Sequence, residues 1–147
     1  MLKSICVAAI FMLLLVVPEA FPQTGCSPAP LSQDDARNLV RLIPDALAAQ
    51  RIGGKLTVID WKPGHDYRED VFFFFELLST RSLPTTPLDN GVLGYFGVNK
   101  TTGEVVQLDS GSWIKGAALK RAQDRLRASH CVSADLVRKN RCLSLER

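Results

Sequence analysis

Four consecutive phenylalanines lie in the middle of the chain, inside the apolar run VFFFFELL at residues 71–78. A run of this length is too short for a solitary buried helix, and aromatic side chains are enriched in strands. Apolar residues also occupy both alternating faces of the run, so a strand here needs apolar neighbours on both sides. The run therefore predicts a central strand that is buried on both faces of a sheet.

An amphipathic helix is predicted ahead of this strand. Ser32 is suited to cap its N-terminus, and Asp34 and Asp35 follow in the first turn, where they meet the positive end of the helix dipole. Five apolar residues then recur at helical spacing and form one stripe: Ala36, Leu39, Val40, Ile43 and Leu47. Pro44 interrupts the stripe, which predicts a kink or a second helix beginning there, and Gly53-Gly54 ends the element.

Three further strands and two helices complete the prediction. Residues 55–61 alternate in polarity, and residues 91–98 and 104–108 flank the short polar loop 99–103, the clearest hairpin in the chain. A polar loop with two prolines occupies residues 80–90. After the hairpin, a helix is predicted from Ser112, and Ser133 is suited to cap a short last helix.

These elements predict an α+β fold. The N-terminal helix, kinked at Pro44, packs on a four-stranded antiparallel sheet and is followed by C-terminal helices.

The opening residues have the pattern of a secretory signal. Lys3 precedes an apolar stretch of 13 residues, Ile5 to Val17, which is shorter than the ~20 residues of a membrane-spanning helix. We therefore expect residues 1–20 to be a cleaved signal peptide, residues 21–31 a flexible tether and residues 32–147 a single α+β domain. The protein is expected to be exported, to the periplasm or the exterior.

The cysteines fit an oxidising compartment but leave their pairing open. Cleavage of the signal removes Cys6 and leaves Cys26, Cys131 and Cys142, an odd number. We expect a disulfide between Cys131 and Cys142. The small residues Thr24-Gly25 make Cys26 a candidate lipidation site; otherwise Cys26 pairs with one of the other two, joins another chain or stays free. Membrane association is expected only if Cys26 is lipidated.

Positive charge is concentrated at the C-terminus. The net charge is +3, yet residues 115–147 contain nine Lys and Arg against Asp124, Asp135 and Glu146. This segment is either a hydrated surface or a contact for an anionic component of the cell envelope. Nucleic acid is not expected as a partner, because the segment lacks interleaved aromatic residues for base stacking. Asn99-Lys100-Thr101 is a glycosylation sequon on a turn, where it is expected to be accessible.

The polar candidates for a site are few. His65, Asp66 and Asp70 cluster after the Pro63-Gly64 turn, but they lack the ligand spacing of a calcium or zinc site, so no metal or cofactor is expected. His130 adjoins Cys131, but an oxidised cysteine cannot supply a thiolate nucleophile. No catalytic residue is therefore assigned.

Residues 94–108, GYFGVNKTTGEVVQL, resemble the terminal hairpin of small exported bacterial domains of the PepSY-like type. The order of helix and then sheet is also similar to the broader cystatin-like group. Such domains are thought to inhibit or to bind other proteins, so the resemblance implies binding rather than catalysis.

Two functions from different classes follow. The leading hypothesis is an exported, non-enzymatic binding or inhibitory module that contacts another macromolecule, either an unknown protein or an anionic envelope component. The alternative is a small hydrolase or metal-dependent enzyme of cystatin-like architecture. Its pocket would lie between the first helix and the sheet, with His65, Asp60 or Tyr95 pointing inward. A third hypothesis, an envelope lipoprotein, requires acylation of Cys26.

Overall fold

A computed structural model describes residues 29–64, 67–84 and 91–141 and confirms the α+β class. The helices are α1 (Gln33–Val40), α2 (Pro44–Arg51), α3 (Ala117–Ser129) and α4 (Ala134–Arg141). The strands are β1 (Leu56–Asp60), β2 (Phe72–Ser79), β3 (Val92–Asn99), β4 (Val105–Gln107) and β5 (Ser112–Trp113). They form one antiparallel sheet in the order β1-β2-β3-β4-β5. The predicted signal and most of the tether lie outside the described residues.

The N-terminal helix is divided at the predicted proline. Ser32 caps α1, where its Oγ accepts a hydrogen bond from the amide of Asp35 at 3.1 Å. Ile43 has the extended geometry that a following proline favours, and Pro44 is the first residue of α2. Of the two outcomes predicted for Pro44, the second helix is therefore confirmed in place of a kinked continuous helix.

Strand β2 is buried on both faces, as predicted, because successive side chains point to opposite sides of the sheet. Phe75 and Leu77 belong to the core under the helices, whereas Phe72 and Phe74 belong to a second cluster. β2 pairs with β3 in a register that places Phe75 beside Phe96 and Glu76 beside Tyr95.

Apolar side chains fill the space between the helices and the sheet. Leu39 and Ile43 from the helical side and Phe75, Phe96 and Val98 from the sheet are each at most 1% exposed. The enzymatic alternative expects a pocket between the first helix and the sheet. The described side chains fill this space.

The β3–β4 hairpin is confirmed, but its sequon is not accessible. Asn99 is fully buried, and its Oδ1 accepts hydrogen bonds from the amides of Thr101 and Thr102 at 2.9 Å each. Its Nδ2 donates to Asn140 Oδ1 of α4 at 3.4 Å. The expectation of an accessible glycosylation site is therefore wrong, because the asparagine side chain organises the turn and packs against a helix.

The sheet has a fifth strand where a helix was expected to begin. Ser112 and Trp113 pair with Gln107 and Val106 of β4, and α3 begins five residues later, at Ala117. Pairing with β4 thus outweighs the local helical preference of this segment.

A buried carboxylate connects the hairpin to both C-terminal helices. The side chain of Glu104 is 6% exposed and accepts hydrogen bonds from Arg127 of α3 at 2.9 Å and from Arg141 of α4 at 2.5 and 2.9 Å. Two surface pairs, Lys120–Asp124 and Arg138–Asp135, use further cations of the basic segment. Four of the described C-terminal cations, Lys120, Arg127, Arg138 and Arg141, therefore have carboxylate partners within the domain. No described helix is long and apolar enough to cross a membrane.

Gly97 provides a first prediction, because a side chain at this position of β3 would crowd its neighbours. A Cβ atom here would lie 3.1 Å from Val106 Cγ1 and 3.3 Å from Phe74 Cε1. Gly97→Val is expected to lower the free energy of unfolding by about 1–3 kcal/mol through overpacking, measured by urea denaturation. Gly64→Ala is the control, since a Cβ atom there meets no atom within 4 Å. Equal stability of the two variants would contradict the prediction.

Candidate functional site

The face of the sheet opposite the core, which we call the open face, carries a second apolar cluster. Phe72, Phe74 and Val106 form its buried base. Partly buried side chains surround them, and they come only from strands and loops: Trp61, Tyr67, Val71, Leu108 and Trp113. Because no residue of a described helix belongs to this cluster, its outer side chains are half-buried.

Aromatic rings run across the open face in a continuous line of contacts. Tyr95 and Trp61 have ring centroids 4.9 Å apart, and Trp61 contacts Tyr67 edge-on at 6.2 Å. Tyr67 meets Phe74 at 5.6 Å, and Phe74 meets Phe72 at 6.1 Å. The line ends at Trp113, 6.4 Å from Phe72. These separations are in the range of favourable aromatic pairs, so the side chains form an ordered surface.

A carboxylate lies at one end of this line. Glu76 is partly buried on β2, and Tyr95 Oη donates a hydrogen bond to its Oε1 at 3.4 Å. The charge of Glu76 raises the pKa of the Tyr95 hydroxyl, and burial, the hydrogen bond and the charge of Asp109 add to this effect. Ile59, directly across from Glu76 on β1, is 42% exposed. Among the described residues, Glu76 has no cationic partner.

The chemistry of this surface favours binding. Trp and Tyr side chains supply large contact areas, and a partly buried carboxylate beside them attracts a cation. An arginine fits both features, since its planar guanidinium stacks on aromatic rings and pairs with a carboxylate.

A concavity of about 500 Å³ lies between β4–β5 and α3. Its charged lining residues are Glu104, Lys115, Lys120, Asp124, Arg127 and Arg141. All but Lys115 take part in the ion pairs described above, so this groove connects the C-terminal helices to the sheet and offers few unpaired charges to a ligand.

The predicted polar site is only partly within the described structure. His65 and Asp66 lie outside the described residues. Asp70 is described, and its carboxylate pairs with Arg68 at 2.8 Å on the surface. No group of three or more possible metal ligands occurs among the described residues.

The two other side chains of the enzymatic alternative do not share a pocket. Asp60 is held by Arg37 of α1 through hydrogen bonds of 2.6 and 3.2 Å at the helical side of β1. Tyr95 lies on the open face. The sheet therefore separates the two.

Cys131 is disulfide-bonded, so its sulfur is not available as a thiolate beside His130. Its partner lies outside the described residues, as do both Cys26 and Cys142. The pairing of Cys131 with Cys142 and the lipidation of Cys26 therefore stay predictions.

The sequence alone does not show that Trp61, Glu76 and Tyr95 lie together on one face of the sheet. The available signal was the strand at residues 71–78, which has aromatic residues on both faces and one acidic residue. It did not show which face the helices cover.

No family model and no curated protein matches the sequence, so the PepSY-like and cystatin-like resemblance stays a prediction. Among solved structures, the chain is similar to one in the structure of a type VI secretion system effector–immunity complex from Pseudomonas protegens. The match has a TM-score of 0.55 and 19% sequence identity, and it covers 79% of this chain and 90% of the other. The chain shares its fold with that protein.

Proposed function

We propose that this chain is an exported binding module that docks on another protein through the open face and inhibits it. The observation that carries the proposal is Glu76, a partly buried carboxylate without a described cationic partner, beside a line of aromatic rings whose Trp and Tyr members are half-buried. The expected partner presents a basic side chain, most simply an arginine, within an apolar surface.

Three observations support this proposal. Contiguous apolar surface rich in Trp and Tyr is typical of interface hot spots. The solved chain of similar fold comes from an effector–immunity complex, in which two proteins bind each other. The hairpin at residues 94–108 resembles that of exported domains thought to inhibit other proteins. Export itself rests on the signal pattern of residues 1–20.

Site-specific photocrosslinking in the native cell tests the proposal. Ile59 and Ile52 are both exposed isoleucines, at 42% and 50%, but Ile59 lies on the open face and Ile52 follows α2. With p-benzoylphenylalanine at position 59, we expect a covalent adduct with one protein, identified by mass spectrometry. Position 52 serves as the matched control. Equal adducts from both positions, or none from position 59, would contradict the proposal.

Charge reversal at the carboxylate gives a quantitative prediction. Glu76→Lys is expected to weaken binding of the purified crosslinked partner by at least about 30-fold, because an interfacial hot spot contributes 2 kcal/mol or more. Isothermal titration calorimetry measures this change. Asp45→Lys makes the same charge change on α2 and is expected to leave the affinity nearly unchanged. If both variants bind like the wild type, Glu76 is not in the interface.

A further inference from the structure

Strand β1 is the longer of the two outer strands of the sheet. The strand order leaves β1 and β5 at the edges, and β1 has five residues whereas β5 has two. Natural proteins shorten an edge strand, or place lysine, proline or a bulge in it, to prevent a further strand from pairing. β1 contains no lysine or proline and pairs with β2 in an unbroken register. The edge at β1 is therefore suited to accept another strand.

The backbone groups on the outer side of β1 follow from its hydrogen bonds to β2. The amide of Trp61 donates to the carbonyl of Phe74 at 3.0 Å, and the carbonyl of Lys55 accepts from the amide of Thr80 at 3.1 Å. Because successive residues turn their amides and carbonyls to alternate sides of a strand, the odd-numbered residues of β1 bond to β2. The even-numbered residues turn these groups outward: Leu56, Val58 and Asp60. The outward groups have no hydrogen-bond partner among the described residues.

A strand that pairs with this edge would place one of its side chains in line with Glu76. Ile59 is directly across from Glu76, and Glu76 is directly across from Tyr95, so one row of the open face runs from Tyr95 to Ile59. The next residue of that row would belong to the added strand, two strand spacings or about 10 Å from the backbone of Glu76. A long basic side chain at that place extends over the apolar Ile59 to the carboxylate.

We propose that the partner adds an extended segment to the edge of β1 and reaches Glu76 with a lysine or arginine of that segment. The inference rests on the proposed function, because it specifies how the partner of the open face is bound. In this mode of recognition, main-chain hydrogen bonds give affinity and alternate side chains give specificity. The segment bonds to the outward groups of β1, and its open-face side chains lead the partner onto the aromatic line.

A second copy of the chain, paired edge to edge, would account for less of the structure. It would extend the sheet sideways and leave the aromatic line of the open face uncovered. A partner protein that supplies one strand and also contacts the open face covers both features. We therefore assign the edge to the partner.

Proline at position 58 tests the edge pairing in the native cell. Val58→Pro removes an outward amide and keeps the amides that bond to β2, and proline is tolerated in an edge strand where its nitrogen faces away from the sheet. In the protein with p-benzoylphenylalanine at position 59, we expect Val58→Pro to lower the yield of the partner adduct, corrected for protein amount, at least about fivefold. The reason is that a buried carbonyl of the partner loses its donor.

Gln33→Pro is the matched control. Gln33 is exposed and is the first residue of α1, a position that favours proline, so this variant should give the parent's adduct yield. The same adduct yield from Val58→Pro would overturn the edge pairing and leave docking through the open face intact. Absence of any adduct in the parent would overturn both. An adduct of this chain with itself would identify a second copy at the edge and overturn the proposal.

Amide hydrogen exchange of the wild type is a second measurement, and it decides the question if Val58→Pro does not fold. In the free protein, the Val58 amide should exchange quickly and the Ile59 amide slowly, because only the latter bonds to β2. Saturation with the purified partner that is captured at position 59 should slow the Val58 amide at least about tenfold. The amide of Asp34, in the first turn of α1, should keep its rate. Unchanged exchange at Val58 in the saturated complex would overturn the proposal.

Discussion

Phe75→Ala is expected to lower the free energy of unfolding by about 3–5 kcal/mol. The Phe75 ring is fully buried and pairs across strands with Phe96. Its removal leaves a cavity between β2 and the helices that the surrounding side chains cannot close, because strands on both sides hold β2 in place. For a domain stable by 5–15 kcal/mol, this loss is a large fraction of the total.

Urea denaturation followed by circular dichroism measures the effect. Phe73→Ala is the matched control, because the Phe73 ring is only partly buried. The centroid of this ring lies 4.8 Å from Lys100 Nζ. The control should therefore lose clearly less stability. Equal losses would show that burial under the helices does not distinguish the two rings.

Glu104→Ala is expected to lower the free energy of unfolding by roughly 3 kcal/mol, the lower end of the range for removing one partner of a buried ion pair. The substitution takes the shared acceptor from both Arg127 and Arg141. The cost stays at the lower end because the side chain of Arg141 is 53% exposed and can turn to water.

Asp124→Ala provides the comparison within the same groove. The Lys120–Asp124 pair is an i,i+4 surface contact whose side chains are 73% and 49% exposed, and such pairs contribute at most about 1 kcal/mol. Chemical denaturation of both variants at one salt concentration separates the two cases. A loss at Glu104 no larger than that at Asp124 would show that Glu104 does not connect the hairpin to the helices.

The elements that were predicted from sequence are those with a strong local cause. Ser32 and Ser133 each cap a helix through their own hydroxyl groups. Pro44 favours the start of a helix. The run at residues 71–78 has too many aromatic residues for an exposed element. The hairpin follows from the glycine at its end, since Gly103 has φ of +68°.

The features that the sequence did not predict depend on contacts between distant parts of the chain. Strand β5 contains only two residues and exists because β4 provides hydrogen-bonding partners, which no local pattern at Ser112 shows. Asn99 is buried because α4 returns to the turn from 41 positions further along the chain. The open face was not predicted for the same reason: alternation shows that β2 has two apolar sides, but only the packing of the described helices decides which of the two sides they cover.

The alternation along β2 has a practical meaning for mutational scans. Neighbouring positions such as Phe75 and Glu76 face opposite sides of one strand, so their substitutions should affect different observables. An abundance measurement would respond to the buried phenylalanines of both faces, whereas an interaction screen corrected for abundance would respond mainly to open-face positions such as Glu76. Data averaged over the whole strand would hide both signals.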